Sequence, residues 1–259
     1  MPNRVTNVPN AATSAPNGTE TVIEMAGVGH RYGQSDALRG IDLEVSEGEI
    51  FGFLGHNGAG KTTTIHILTT LIIPTSGSAR VCGQDVVSRR LDVQRAIGYL
   101  PENVRMYDHL TARENLRYFA RLSGVADTAG AIRDTLGFLE CQELADRRVG
   151  TFSKGMRQRI GIAQAILHRP RVLFLDEPTS GLDPMGVRQL RDTIQRLNAE
   201  LGMTIFMNTH LLSEVSRVCT AIGVLAEGQL IYRDTLARTL ERFPDEASLE
   251  DIYARLEDR

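Results

Sequence analysis

Several short apolar runs divide the chain. Residues 49–54 (EIFGFL), 172–175 (VLFL) and 204–208 (TIFMN) are four to six residues long and bounded by charged or turn-forming residues. Such runs predict strands buried on both faces. TVIEM (21–25), IDLEV (41–45), SARVCG (78–83), AIGYL (96–100) and AIGVLA (221–226) read as further strands, the second alternating apolar and acidic. Between them the period changes. Thr111 and Glu114 form a T-x-x-E capping box ahead of Leu116, Phe119 and Leu122. A second helix is expected over Ile132–Leu139. A third, opened by Ser153, carries Ile160, Ala163 and Leu167. Met185–Leu201 and LLSEVSRV (211–218) read as helices, and SLEDIYARLEDR has Leu249, Ile252, Tyr253 and Leu256 at helical spacing with Ser248 as cap. KTTTIHILTTLI (61–72) is expected to be helical despite its threonines, because the loop before it requires a helix.

Strands alternating with helices imply a mainly parallel sheet covered on both faces. The helical stretch at about 103–168 interrupts it and reads as a separate lobe. No internal repeat is visible. Residues 1–19, rich in Asn, Pro, Ala and Thr, read as a disordered tail without the apolar segment of a signal peptide.

Composition changes this picture little. The 259 residues are 42% hydrophobic and 24% charged, enough for a packed core. Net charge is −3, which argues against a chain whose main task is holding nucleic acid. Cys82, Cys141 and Cys219 lie far apart, fit no metal spacing and read as reduced thiols of a cytoplasmic protein. No apolar run approaches the roughly 18 residues of a membrane helix.

Gly55-His56-Asn57-Gly58-Ala59-Gly60-Lys61-Thr62 satisfies G-x-x-x-x-G-K-[ST] and is followed by Thr63. Glycines let successive N–H groups point inward at phosphate oxygens, and the following helix aims its positive end at them. In such a loop the Lys61 ammonium reaches the β- and γ-phosphates and the Thr62 hydroxyl ligates Mg²⁺. A helix cap without a ligand is the alternative. His56 occupies a variable position and is expected to point outward. The run 172–175 ends in Asp176, a carboxylate at the strand's C-terminal edge that can face Mg²⁺. Glu177 follows and can polarise a water in line with the γ-phosphate. TFSKGMRQR (151–159) supplies a second helix start open to an anion.

With these motifs in this order, the chain resembles the ATP-binding subunits of ABC transporters from about Val22 to Tyr232. Phe152-Ser153-Lys154-Gly155-Met156 stands at the signature segment, Ser180–Asp183 (SGLD) at the D-loop, His210 at the switch histidine and Tyr32 at the aromatic residue that stacks on adenine. The resemblance implies an α/β fold: a P-loop NTPase core with a mainly parallel sheet, an N-terminal antiparallel β subdomain and an inserted α-helical subdomain. Residues 20–235 would form the ATP-binding domain and 236–259 a C-terminal helical extension, which either packs on the core or contacts a partner.

The resemblance also accounts for two anion-binding helix starts. Two such domains face each other head to tail around ATP and Mg²⁺. The loop of one holds the phosphates, and Ser153 and Gly155 of the other close on the γ-phosphate. Two segments depart from the family pattern. Lys154 and Met156 replace the usual Gly and Gln, and Lys154 either attracts ATP or is a solvated side chain. Glu102, in GYLPEN, replaces a Gln that approaches Mg²⁺ and the attacking water; it can still bind the metal but adds negative charge.

The expected function is an ATP-hydrolysing motor at the cytoplasmic face of the membrane. It would be coupled to a separate permease whose short cytoplasmic helix docks on the helical lobe. LPEN…Y…LTARENL and SKGMRQR look most like subfamilies paired with ABC-2-type permeases, which mostly export. GHNGAGKTT, LPENV and DRRV also resemble the ATPase that supports nitrous-oxide-reductase maturation. A soluble ABC ATPase acting on DNA or ribosomes is the alternative; the single domain and the lack of a Cys cluster or long heptad run disfavour it. A small-molecule kinase would need neither signature segment nor SGLD.

Overall fold

The computed structural model describes residues 20–209 and 211–257. The expected tail at 1–19 and His210 lie outside the described residues. The chain opens with an antiparallel hairpin of β1 (Thr21–Tyr32) and β2 (Ser35–Ser46), then crosses as β3 (Ile50–Leu54) into a second sheet. β4 (Ser76–Val81) and β5 (Gln84–Asp85) return to the first sheet, whose order is β2-β1-β4-β5. β6 (Ile97–Leu100), β7 (Val172–Asp176), β8 (Thr204–Asn208), β9 (Ala221–Ala226) and β10 (Gln229–Thr235) complete the second, ordered β10-β9-β3-β8-β7-β6. Its strands are parallel except for β10, which runs antiparallel along β9. The hairpin is longer than its alternating pattern marks, because register shifts beyond Met25 break the period of two.

The two faces of the parallel sheet have different covers. Phe51, Phe53, Phe174 and Phe206 share one face, with Phe206 5.3 Å from Phe51 and Phe53 and 5.6 Å from Phe174 between ring centroids. The antiparallel sheet and α1 (Lys61–Leu68) cover it. α1 ends at Leu68, short of the expected Ile72. The Thr69 hydroxyl donates back to Ile65 O at 2.7 Å, and Thr70 turns left-handed at φ 65°. α2 (Arg90–Ala96) precedes β6.

The opposite face, with Leu54, Leu173, Leu175, Ile205 and Met207, carries the remaining helices. Between β6 and β7 come α3 (Ala112–Leu122), α4 (Thr128–Phe138) and α5 (Lys154–Ile166). The Thr111–Glu114 capping box forms as expected. The buried face of α3 is Ala112, Asn115, Leu116 and Ala120; of the expected stripe, Leu116 is buried, Phe119 half-buried and Leu122 exposed. Ile160, Ala163 and Leu167 are buried as predicted. α6 (Pro184–Leu201), α7 (Leu212–Val218) and α8 (Leu236–Arg242) follow. α9 (Leu249–Glu257) packs on α7 and β9 through Leu249, Ile252 and Leu256, and Ser248 caps it by accepting from Asp251 N–H at 3.2 Å. Among the described residues no helix is long and apolar enough to cross a membrane.

Candidate functional site

The wholly buried strand β3 delivers Gly55 to the C-terminal edge of the parallel sheet, where the chain curls before entering α1. Gly60 must be glycine: its φ is 111°, and a Cβ there would lie 2.6 Å from both Ala37 O and Leu38 Cδ2. It caps α1 without offering a side-chain hydrogen bond. The loop is seated by Ala59, whose carbonyl accepts from Gly228 N–H at 3.0 Å and whose N–H donates to His56 O at 3.2 Å. Lys61, only 6% exposed, bends back so that Nζ donates to Gly55 O at 2.6 Å and His56 O at 3.1 Å. A buried ammonium thus sits across the mouth of a loop. His56, Asn57 and Gly58 are exposed, His56 with Nδ1 against Asn57 O at 2.8 Å; Thr63 is half-buried.

The acidic edge meets this loop. Thr62 Oγ1 donates to Asp176 Oδ1 at 3.2 Å, and Asn208 Nδ2 donates to the same oxygen at 2.6 Å. Asn208 Oδ1 accepts the Glu177 N–H at 2.6 Å, so one amide fixes both acidic residues. Tyr99 lies near Asp176; burial, then the nearby carboxylate, pushes its hydroxyl pKa well up and keeps it neutral. Glu177 Oε1 lies 3.9 Å from Lys61 Nζ. Glu177 holds a left-handed φ of 46°, a strained conformation for this residue type.

Thr62 and Asp176 offer hard oxygen donors suited to Mg²⁺. Among the described residues no cluster of three His, Cys, Asp or Glu forms a protein-only metal cage. Glu102, two residues beyond β6 and at the same sheet edge, is exposed and accepts from the Ser180 hydroxyl at 3.1 Å.

The second helix start stands apart. Ser153 caps α5 by accepting from Met156 N–H at 3.3 Å; it is exposed, with Gly155 half-buried behind it. Among the described residues no hydrogen bond or ion pair joins Ser153 or Gly155 to the 55–63 loop. Tyr32, 51% exposed, ends β1 with its ring 4.6 Å from that of His30. Its hairpin reaches the loop where Ala37 and Leu38 touch Gly60. His210 follows the buried Thr209 but lies outside the described residues.

Sequence reading missed Asn208, Tyr99 and Gln158. Gln158 is buried in α5 and donates from Nε2 to Pro178 O at 2.8 Å, linking that helix to the segment after Glu177. Asn208 did carry a signal: it closes an apolar strand in direct register with Asp176.

Comparisons with known proteins bear on the family and the fold. The family model described as ABC transporter matches residues 38–180. The bacitracin transport ATP-binding protein BcrA of Bacillus licheniformis is 41% identical over 211 residues, covering 82% of this chain and 69% of its own. The ABC transporter ATP-binding protein NatA of Bacillus subtilis is 38% identical over 208 residues, covering 79% and 84%. A solved ATP-binding subunit of an ABC transporter superposes with a TM-score of 0.82 at 29% identity, covering 91% of this chain and 99% of the other.

Proposed function

Because this chain belongs to the ABC transporter family, as one of its ATP-hydrolysing ATP-binding subunits, we propose that it is the motor of an exporter whose separate permease is of ABC-2 type. The observation that carries the site assignment is the meeting of two segments distant in sequence. Lys61 and Thr62 face Glu177 and Asp176 at 3.9 and 3.2 Å.

In this reading the loop from Gly55 to Thr63 and the Lys61 ammonium bind the β- and γ-phosphates. Tyr32 stacks on adenine. Thr62 and Asp176 hold Mg²⁺, with Glu102 beside them; the ion when bound neutralises phosphate charge. Glu177 accepts a proton from water as the water oxygen bonds the γ-phosphorus. The bond from phosphorus to the ADP oxygen breaks in the same displacement. His210 contacts the γ-phosphate. Ser153 and Gly155 come from a second ATP-binding subunit, this chain or a relative, arranged head to tail. The assembly sits peripherally on the cytoplasmic face of the membrane.

Recovery of partners tests the reading. Tagged Glu177→Gln chain, expressed in its own host and extracted gently with ATP and Mg²⁺, is expected to bring down a multi-span membrane protein in near-equal amount. Recovery with ribosomes or DNA and no membrane protein would replace the motor by a soluble ABC ATPase.

A further inference from the structure

Glu102 and Lys154 are the two charged residues that stand where the resemblance leads one to expect uncharged ones. Far apart in sequence, they meet at one turn. Ser180 and Gly181 lie in the segment between β7 and α6. The Ser180 hydroxyl donates to Glu102 Oε1 at 3.1 Å. Lys154 lies across the next residue: a Cβ built on Gly181 would fall 2.7 Å from Lys154 Nζ, 3.2 Å from its Cδ and 3.4 Å from its Cε. Gly181 itself has a left-handed φ of 65° and no side chain to keep the lysine away. A carboxylate and an ammonium thus rest on consecutive residues of one turn.

The turn is connected to the chemistry. Ser180 N–H donates to Glu177 O at 3.0 Å, and Gln158 of α5 holds the neighbouring Pro178 carbonyl. Glu102 and Lys154 stand more than 4 Å apart, and neither enters an ion pair, with the other or with any further group, among the described residues. Two opposite charges on one turn attract each other and restrain it, an effect that salt weakens.

We propose that Lys154 is a positioning residue for the catalytic edge of its own chain. Its ammonium offsets the Glu102 carboxylate across the Ser180–Gly181 turn, and the two charges together hold the turn, and through it Glu177, in place. Each departure compensates the other. Glu102 adds negative charge at the edge that receives phosphate, and Lys154 balances it from one residue further along the turn. This rests on the assignment of the site to ATP hydrolysis, which the turnover of the unmodified chain tests separately.

The experiment is a double-mutant cycle of Glu102→Gln and Lys154→Gln, with Lys154→Arg as the charge-retaining control, at low and high salt. Lys154→Gln is expected to lower kcat about tenfold with KM held within about twofold, while Lys154→Arg stays near the parent. Glu102→Gln should change kcat by a different factor in the Lys154→Gln chain than in the parent, and this non-additivity should shrink at high salt. Without nucleotide, amide hydrogen exchange over residues 178–183 should rise in Lys154→Gln and not in Lys154→Arg. Effects that simply multiply would overturn the proposal, as would unchanged exchange. A rise in KM at constant kcat would overturn it too, placing Lys154 on the nucleotide instead of its own turn. A parent chain without ATPase activity would count against the site assignment, while the exchange measurement would still report on the turn.

Discussion

The starts of α1 and α5 meet the same demand in opposite ways. Every helix begins with N–H groups that lack partners inside it. At α5 the chain supplies its own partner, the Ser153 hydroxyl, and leaves Ser153 and Lys154 exposed. At α1 it supplies none from the cap residue, because Gly60 has no side chain, and it buries the first helical residue, Lys61, under its own loop. One start is a deep half-site finished within a single chain. The other is a shallow surface whose Ser153 and Gly155 make no hydrogen bond or ion pair to the phosphate loop among the described residues. That division fits the proposed completion of the site by a second ATP-binding subunit.

The largest expected effect tests the deep half alone. Glu177→Gln should lower ATP turnover by about 10²–10⁴-fold while ATP binding survives, as read by steady-state hydrolysis and nucleotide titration. Normal turnover in that variant would remove Glu177 as the base. Next, the two halves can be set against each other. Lys61→Ala should weaken ATP binding about 10²-fold, through loss of a charged hydrogen-bond donor. Ser153→Arg should leave binding to the monomer intact and abolish hydrolysis. Mixing the two chains should restore activity, since one composite site would again be whole; a mixture with no activity breaks the comparison.

The smallest effect concerns the far end of α5, which, unlike its start, is anchored inside. His168 Nε2–H donates to Ile97 O at 2.8 Å, and Nδ1 is buried with no hydrogen-bond partner among the described residues. Burial lowers its pKa below the ordinary 6.5, against a smaller raising effect of that hydrogen bond. The folded state therefore prefers neutral imidazole. The resulting stability is present above pH 6.5 and lost as pH falls below it, because the unfolded chain takes up the proton first. Thermal unfolding should drop by a few degrees on acidification, and His168→Gln should flatten that slope.

The deep half was legible in the sequence because it is encoded locally: glycines, a lysine and a hydroxyl in one loop, and two acids closing one apolar run. The parallel strands were legible for the same reason. What stayed hidden depends on register and on distant contacts. Asn208 acquires its role only when β8 lies beside β7 and brings it opposite Asp176. α2 and the long ends of the hairpin carry no clean period, since the bulges of β1 disrupt alternation beyond Met25. The helix after the phosphate loop is expected to run to Ile72 because the loop before it requires a helix. Its threonines end it by bonding the backbone at Ile65 and turning left-handed.

Glu177 carries a consequence for the history of such a chain. Its left-handed backbone would suit Gly or Asn better, and relief of that strain is worth on the order of 1 kcal/mol. The most durable residue for the position and the most useful one therefore differ. Selection for heat tolerance alone would erode the acid, and selection for work keeps a residue that the fold, left to itself, would trade away.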